Sequence, residues 1–168
     1  MKLTDLAPLE KWVAIEKEIT ETWGLDANFF DIEGVRISDY RHWANRLCPA
    51  VKATDKGQSF ICAVAHMNVA ALARNSREPV IEECDGGLIK MVVPIFVGDE
   101  FIGAFGACGF LLDNGEVDTF LINKITDIEE EKLEPLAEGI RSITTEDAQR
   151  LADDVRCRVD GIVRERQG

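Results

Sequence analysis

The chain has 168 residues, and its 31 acidic against 19 Lys and Arg side chains give a formal net charge of −12, which argues against a nucleic-acid-binding face or docking to anionic lipid. Its length suits one domain, residues 1–168, and 46% hydrophobic residues suffice for a core. The longest apolar run, Met91 to Val97, is far below the ~20 residues of a membrane span, and the Met1–Asp5 start has no apolar signal segment, so a cytoplasmic protein with reduced cysteines is expected.

Pro8 opens a helix whose apolar residues Leu9, Trp12, Ile15, Ile19 and Trp23 recur every three or four positions, and Gly24 ends it. Two short strand-like pieces follow, flanking a tight turn at Glu33-Gly34. From Tyr40 to about Arg77 the chain reads as short helices, with helix propensity strongest from Ile61 to Ala73. Pro79 to Glu83 alternates weakly. Leu88 to Phe96 and Phe101 to Phe110 are apolar runs around a Gly98-Asp99 turn, which predicts an antiparallel hairpin. Gly103, Gly106 and Gly109 inside the second run signal close approach of a ligand or another backbone, or relief of crowding under a helix. Beyond Asn114-Gly115, two helices are expected through Val117–Ile128 and Leu133–Ile140. A last helix, capped by Thr144 or Thr145 and carrying Glu146 and Asp147 in its first turn, follows. Its residues Ala148, Ala152, Val155, Val159 and Ile162 form a short heptad seam. The order predicts an α+β fold: a central antiparallel sheet of about five strands, helices on one side, and flanking terminal helices.

No catalytic constellation stands out. There is no phosphate-binding Gly-rich loop before a helix, no nucleophile on a strained elbow, and only two histidines, His42 and His66; a non-enzymatic role is expected. The five cysteines are an odd number, not a disulfide framework. Cys48, Cys62, Cys84 and Cys108 each sit beside a turn, a Gly or a segment boundary, where residues converge on a cavity. They are inert buried thiols, or ligands of one iron–sulfur cluster or zinc ion, although none is spaced as a zinc ribbon or ferredoxin. Cys157 lies apart on the last helix. His66 follows Cys62 by four residues and shares its helical face. Tyr40 and Trp43 are candidates to line a pocket, Trp43 equally a core anchor.

Taken in order, Thr22-Trp-Gly-Leu25, the Asp31-Ile-Glu-Gly34 turn, Leu47-Cys48, Cys62, Glu83-Cys-Asp-Gly-Gly-Leu88, Val93-Pro-Ile95, Phe101-Ile-Gly103 and Gly106-Ala-Cys-Gly109 resemble the PocR-type sensory domain, a PAS-like module of bacterial regulators and receptors. The resemblance covers about residues 5–140. It implies a PAS-like fold and a small organic ligand, such as a short diol, held against the sheet. Asp85 stands where the family usually has His, and Cys108 where it often has Gln. Together these expectations define a bacterial sensory domain whose ligand site comprises Tyr40, Trp43, Cys48, Cys62, His66, Cys84, Val93, Ile95, Phe105 and Cys108. The alternative is a redox or metal sensor with a 4Fe-4S cluster or zinc on Cys48, Cys62, Cys84 and Cys108. The apolar stripes of the first helix and of the 144–167 helix are expected to make a homodimer and carry the signal to an output domain or partner absent from this chain.

Overall fold

In the computed structural model, which describes residues 1–168, a short α1 (Leu3–Leu6) precedes α2 (Leu9–Trp23) and the first strand, β1 (Asp26–Phe30). After a loop come α3 (Leu47–Lys52), a turn of helix α4 (Asp55–Gly57), a π-helical turn at Gln58–Cys62 and α5 (Ala63–Ser76). Strands β2 (Val80–Glu83), β3 (Ile89–Val97) and β4 (Glu100–Cys108) complete an antiparallel sheet in the order β1-β4-β3-β2. The tail holds β5 (Leu111–Leu112), α6 (Thr119–Thr126), α7 (Glu130–Ala137), β6 (Ser142–Ile143) and α8 (Thr145–Gln167), with β5 and β6 paired in parallel. The two apolar runs are indeed neighbouring strands, turning at Gly98-Asp99. Thr144 caps α8, its hydroxyl accepting from the Asp147 N–H at 3.1 Å, and Gly24 ends α2 with φ +85°.

The sheet has four strands rather than five, for a local reason. Beyond the Gly34 turn the returning chain makes one bridge, Phe30 to Arg36, and the Ile37 N–H donates to Phe29 O. The Phe29 N–H, which a fifth strand would need, donates instead to Glu16 Oε1 of α2 at 2.8 Å. Ser38 Oγ donates to the other Glu16 oxygen at 2.6 Å. One fully buried carboxylate thus closes the free edge of β1, where unpaired backbone groups invite other chains, and pins the loop that follows. Burial pushes the Glu16 carboxyl above its ordinary range despite the hydrogen bonds from Ser38 and Phe29 that pull the other way. The folded state therefore binds the Glu16 proton more tightly than the unfolded one, and the Glu16 contribution to stability declines as pH rises from about 4.5. Glu16→Gln, which keeps an acceptor for Phe29 and a donor for Ser38 Oγ, is expected to fold, and in denaturant titrations the stability of wild type relative to this variant should decline between pH 4.5 and 7; a constant difference would show that Glu16 does not titrate there.

The two faces of the sheet are set by strand alternation. Ala27, Phe29, Met91, Val93, Ile95, Phe105 and Ala107 face a core that includes Trp12, Ile15 and Ile19 of α2 and Leu151, Val155 and Val159 of α8. Trp12, Phe29 and Phe105 stack edge to face, with centroids 4.8 and 5.3 Å apart. The helices predicted to flank the fold thus cover one face of the sheet, and α5 covers the other with Val69 and Ala73 against Val92 and Ala104. This removes the ground on which the dimer was expected, exposed apolar stripes on the terminal helices. Ala148, Ala152, Val155, Val159 and Ile162 are all buried within the chain itself, as are Trp12, Ile15 and Ile19, because the sheet consumes both stripes. Neither is left uncovered for a second copy. No helix is long and apolar enough to cross a membrane.

Candidate functional site

Between the α5 face of the sheet and the α3–α5 segment lies a cavity of about 550 Å³, partly open to solvent. Its floor is a row across three strands. Asp26 of β1 is opposite Cys108 of β4, and Cys108 is opposite Lys90 of β3. In the next row Asn28 and Val92 flank Gly106. A methyl on Gly106 would sit 2.8 Å from Phe30 Cε2 and 3.3 Å from Lys90 Nζ, so the bare glycine is what lets these two side chains lie across the floor. The other strand glycines relieve contacts with other chain segments: a Cβ on Gly103 would meet Phe30 O at 2.5 Å, and one on Gly109 would meet Ala44 at 2.6 Å.

The wall is α3 to α5. Gln58 and Cys62 from the π-helical turn, and His66 and Met67 from α5, reach the cavity; π-turns inside helices recur at functional sites. The His66 ring packs on Phe30, centroids 4.0 Å apart. The turn after β1 closes over it, with a Cβ on Gly34 falling 3.2 Å from His66 Cδ2. Asp31 holds that turn by accepting from the Glu33 and Val35 N–H groups. At the rim, Trp43 lies under the Arg41 guanidinium at 4.6 Å and near Lys52 Nζ at 5.9 Å. Asn45 ties α3 to the end of the sheet: Nδ2 donates to Gly109 O at 2.7 Å and Oδ1 accepts from the Cys48 N–H.

The polar groups are incompletely matched. Five buried side-chain polar atoms have no hydrogen-bond partner in the protein, and four of them, on Asp26 (Oδ1), Asn28 (Oδ1), Arg36 (Nη1) and His66 (Nδ1), belong to residues that line this cavity. Native interiors satisfy nearly all such groups. Arg36 Nη2 donates to Asp26 Oδ2 at 3.3 Å, and Asn28 Nδ2 to Tyr40 O. Burial first, and then Lys90, Arg36 and Lys52, hold His66 down at about 3, so its imidazole is neutral.

The four cysteines singled out in the sequence all line this cavity, and Cys157 is exposed on α8. Burial pushes the Cys48, Cys62, Cys84 and Cys108 thiols above their ordinary range; at neutral pH they are protonated, not the thiolates that bind metal or attack electrophiles. No three His, Cys, Asp or Glu side chains converge as a metal-holding group.

Of the other predicted site residues, His66 and Trp43 line the cavity. Tyr40 does not; its ring faces Lys17, 5.6 Å away. Val93, Ile95 and Phe105 lie in the core on the opposite face of the sheet. Sequence reasoning missed Asp26, Asn28, Phe30, Arg36, Arg41, Lys52 and Lys90. Lys90 was detectable as the lone charge in the Leu88–Phe96 run. Asp26 and Asn28 were detectable as alternate polar positions preceding Phe29-Phe30.

An antiparallel sheet with one face sealed by terminal helices, and a cavity under short helices on the other, is the PAS-like arrangement of a sensory module. Residues 5–165 match the family described as the sensory domain found in PocR, and the chain belongs to that family. The match runs through α8, well past residue 140, in keeping with the burial of that helix in the core. No curated protein and no solved structure matches the chain.

Proposed function

We propose that this chain is a non-enzymatic, cytoplasmic sensory domain that binds a small organic molecule in the cavity between the sheet and α3–α5. The observation that carries this reading is the gathering of four orphaned buried polar atoms around one cavity. A ligand with a few polar groups and an apolar body completes such a site, and Phe30, Leu88 and Met67 supply the apolar surface. Of the expected site residues, Trp43, Cys48, Cys62, His66, Cys84 and Cys108 contact the ligand in this reading.

Ligand binding stabilises the folded state by RT ln(1 + c/Kd), with c the free ligand concentration, which keeps growing after the site is full. A ligand at 100 times its Kd contributes about 2.7 kcal/mol, roughly 5–10 °C in Tm for a domain of this size. A thermal-shift screen of small metabolites should find such a compound. Gly106→Ala, which pushes Phe30 and Lys90 from their places, should weaken the shift while the protein stays folded. A full shift in Gly106→Ala would place binding elsewhere, and no response to any compound would defeat the reading.

A cluster or zinc on Cys48, Cys62, Cys84 and Cys108 is the second reading, favoured by the arrangement of all four thiols around one cavity. It requires side-chain movement, since no three metal-binding groups now converge, and deprotonation of desolvated thiols. Brown anaerobic protein with bound iron would establish it. Colourless protein free of iron and zinc would dismiss it.

A further inference from the structure

The charge inside the cavity runs against the charge of the chain. On a protein of net charge −12, four cationic side chains, Arg36, Arg41, Lys52 and Lys90, line the cavity against two carboxylates, Asp26 and Glu33. Of the four cations, one is paired, Arg36 with Asp26. Lys90 is 7% exposed, and neither it nor Arg41 nor Lys52 enters any ion pair. The Lys90 ammonium is 5.2 Å from the Phe30 ring centroid and Arg36 Cζ is 5.9 Å from the same ring, so two cations converge on one aromatic at the floor. A buried charge without a partner is costly, and proteins rarely keep one. Arg36 also pushes down the proton affinities of both Arg41 and Lys52, in each case after burial as the first cause and with Asp26 pulling the other way.

We propose, building on the sensory reading above, that the ligand is a small organic carboxylate bearing a hydroxyl group, its carboxylate held by Lys90 with Arg36 beside it and its hydroxyl donating to Asp26 or Asn28. Each half answers an observed deficit. The carboxylate supplies acceptors for the Lys90 ammonium and for Arg36 Nη1. The hydroxyl supplies a donor for Asn28 Oδ1 or Asp26 Oδ1, acceptors that are 2% and 6% exposed by residue. A neutral diol would meet the acceptors but leave Lys90 without a counter-charge. A dianion with no hydrogen to donate, such as a phosphate ester, would leave both acceptors orphaned and set a second negative charge against Asp26. The carbon skeleton lies over Phe30, with Leu88 and Met67 beside it.

The test is calorimetric titration of the full chain with matched pairs of probes that differ only at one terminal carbon, carboxylate against primary alcohol: lactate against propane-1,2-diol, 3-hydroxybutyrate against butane-1,3-diol, and mandelate against 1-phenylethane-1,2-diol. A charge-assisted hydrogen bond from a buried ammonium is lost with the carboxylate, so the acid of at least one pair should bind ten- to a hundredfold tighter than its diol. Lys90→Met, which keeps the stem and removes the charge, should erase that preference while circular dichroism shows the protein folded. Lys52→Gln, at the half-buried rim, should reduce the preference by a smaller factor. Diols binding as well as or better than the acids would overturn the carboxylate assignment and leave the sensory reading intact. Preference unchanged in both Lys variants would overturn it as well. Silence to all six probes would count against the carboxylate, while the wider metabolite screen alone decides the sensory reading.

Discussion

Val155→Glu is expected to unfold the protein rather than to separate subunits. Val155 sits at the centre of α8 with 0% of its surface exposed, in a core formed with the back of the sheet. A carboxylate there must either lose its hydration or hold a proton at neutral pH, and the apolar side chains packed around it offer no hydrogen-bond partners. The penalty for a buried unpaired charge, together with the lost packing, is about 3–5 kcal/mol. That is a large share of the roughly 5–15 kcal/mol that holds a domain of this kind together. Val155→Ala, which leaves a small cavity and no charge, should cost only about 2 kcal/mol and stay folded. The pair separates two roles for the helix. If α8 is a core element, Val155→Glu lowers the denaturant midpoint sharply or abolishes the cooperative transition, and Val155→Ala falls between it and wild type. If Val155→Glu stays folded with an unchanged midpoint and only its elution volume shifts, the seam faces a partner and the assignment of α8 to the core is wrong.

The apolar seam of α8 shows what a sequence can and cannot carry. Its spacing marks a helix with one apolar stripe, and that part holds. Spacing says nothing of whether the stripe meets a sheet of the same chain or another copy, because both are equally apolar. The strands show a different loss. The two apolar runs and their Gly98-Asp99 turn were legible because a hairpin is local. Which residues face the cavity was not, since in a continuous apolar run both faces look alike, and a shift of one residue exchanges them. Cys108 and Phe105 are three apart in one strand, so they cannot both line a cavity on one face; the structure gives the cavity to Cys108. The four cysteines were placed around one cavity by their positions beside turns and segment boundaries, and that cue was spatially sound. The cations escaped notice for a separate reason. Arg36, Arg41, Lys52 and Lys90 are scattered over 55 residues of sequence among a surplus of acids, and only the fold of β1, α3 and β3 gathers them. The fifth strand was lost to a contact no local pattern reports, the Glu16 carboxylate that occupies the Phe29 N–H.

His66 is expected to make the wild-type protein lose stability on acidification, by an amount that a variant at this position does not share. The ring is 6% exposed, stacked on Phe30 and covered by the Gly34 turn. Burial is the main reason it resists a proton, and Lys90 of β3, Arg36 of the loop after β1 and Lys52 of α3 add repulsion. Its proton affinity falls from the ordinary 6.5 to about 3 in the folded state. Between those values the unfolded chain binds a proton that the folded chain does not. Stability is therefore full above pH 6.5 and falls with pH through the window, by about 1.4 kcal/mol per unit once well inside it. From pH 7 to 4.5 the loss is about 2.5 kcal/mol. Glu16 has the opposite sign in the upper part of this range, so the total curve is flatter than His66 alone would make it, and a difference measurement is required. Denaturant titrations of wild type and His66→Gln at pH 7 and pH 4.5 supply it: the stability of wild type relative to the variant should fall by about 2.5 kcal/mol at the lower pH. Parallel curves would mean that the imidazole is not held neutral. Lys90→Met then separates the causes, for NMR titration of the His66 ring in that variant should give a value higher than wild type yet still below 6.5, because removal of one neighbouring charge leaves the larger effect, burial, in place.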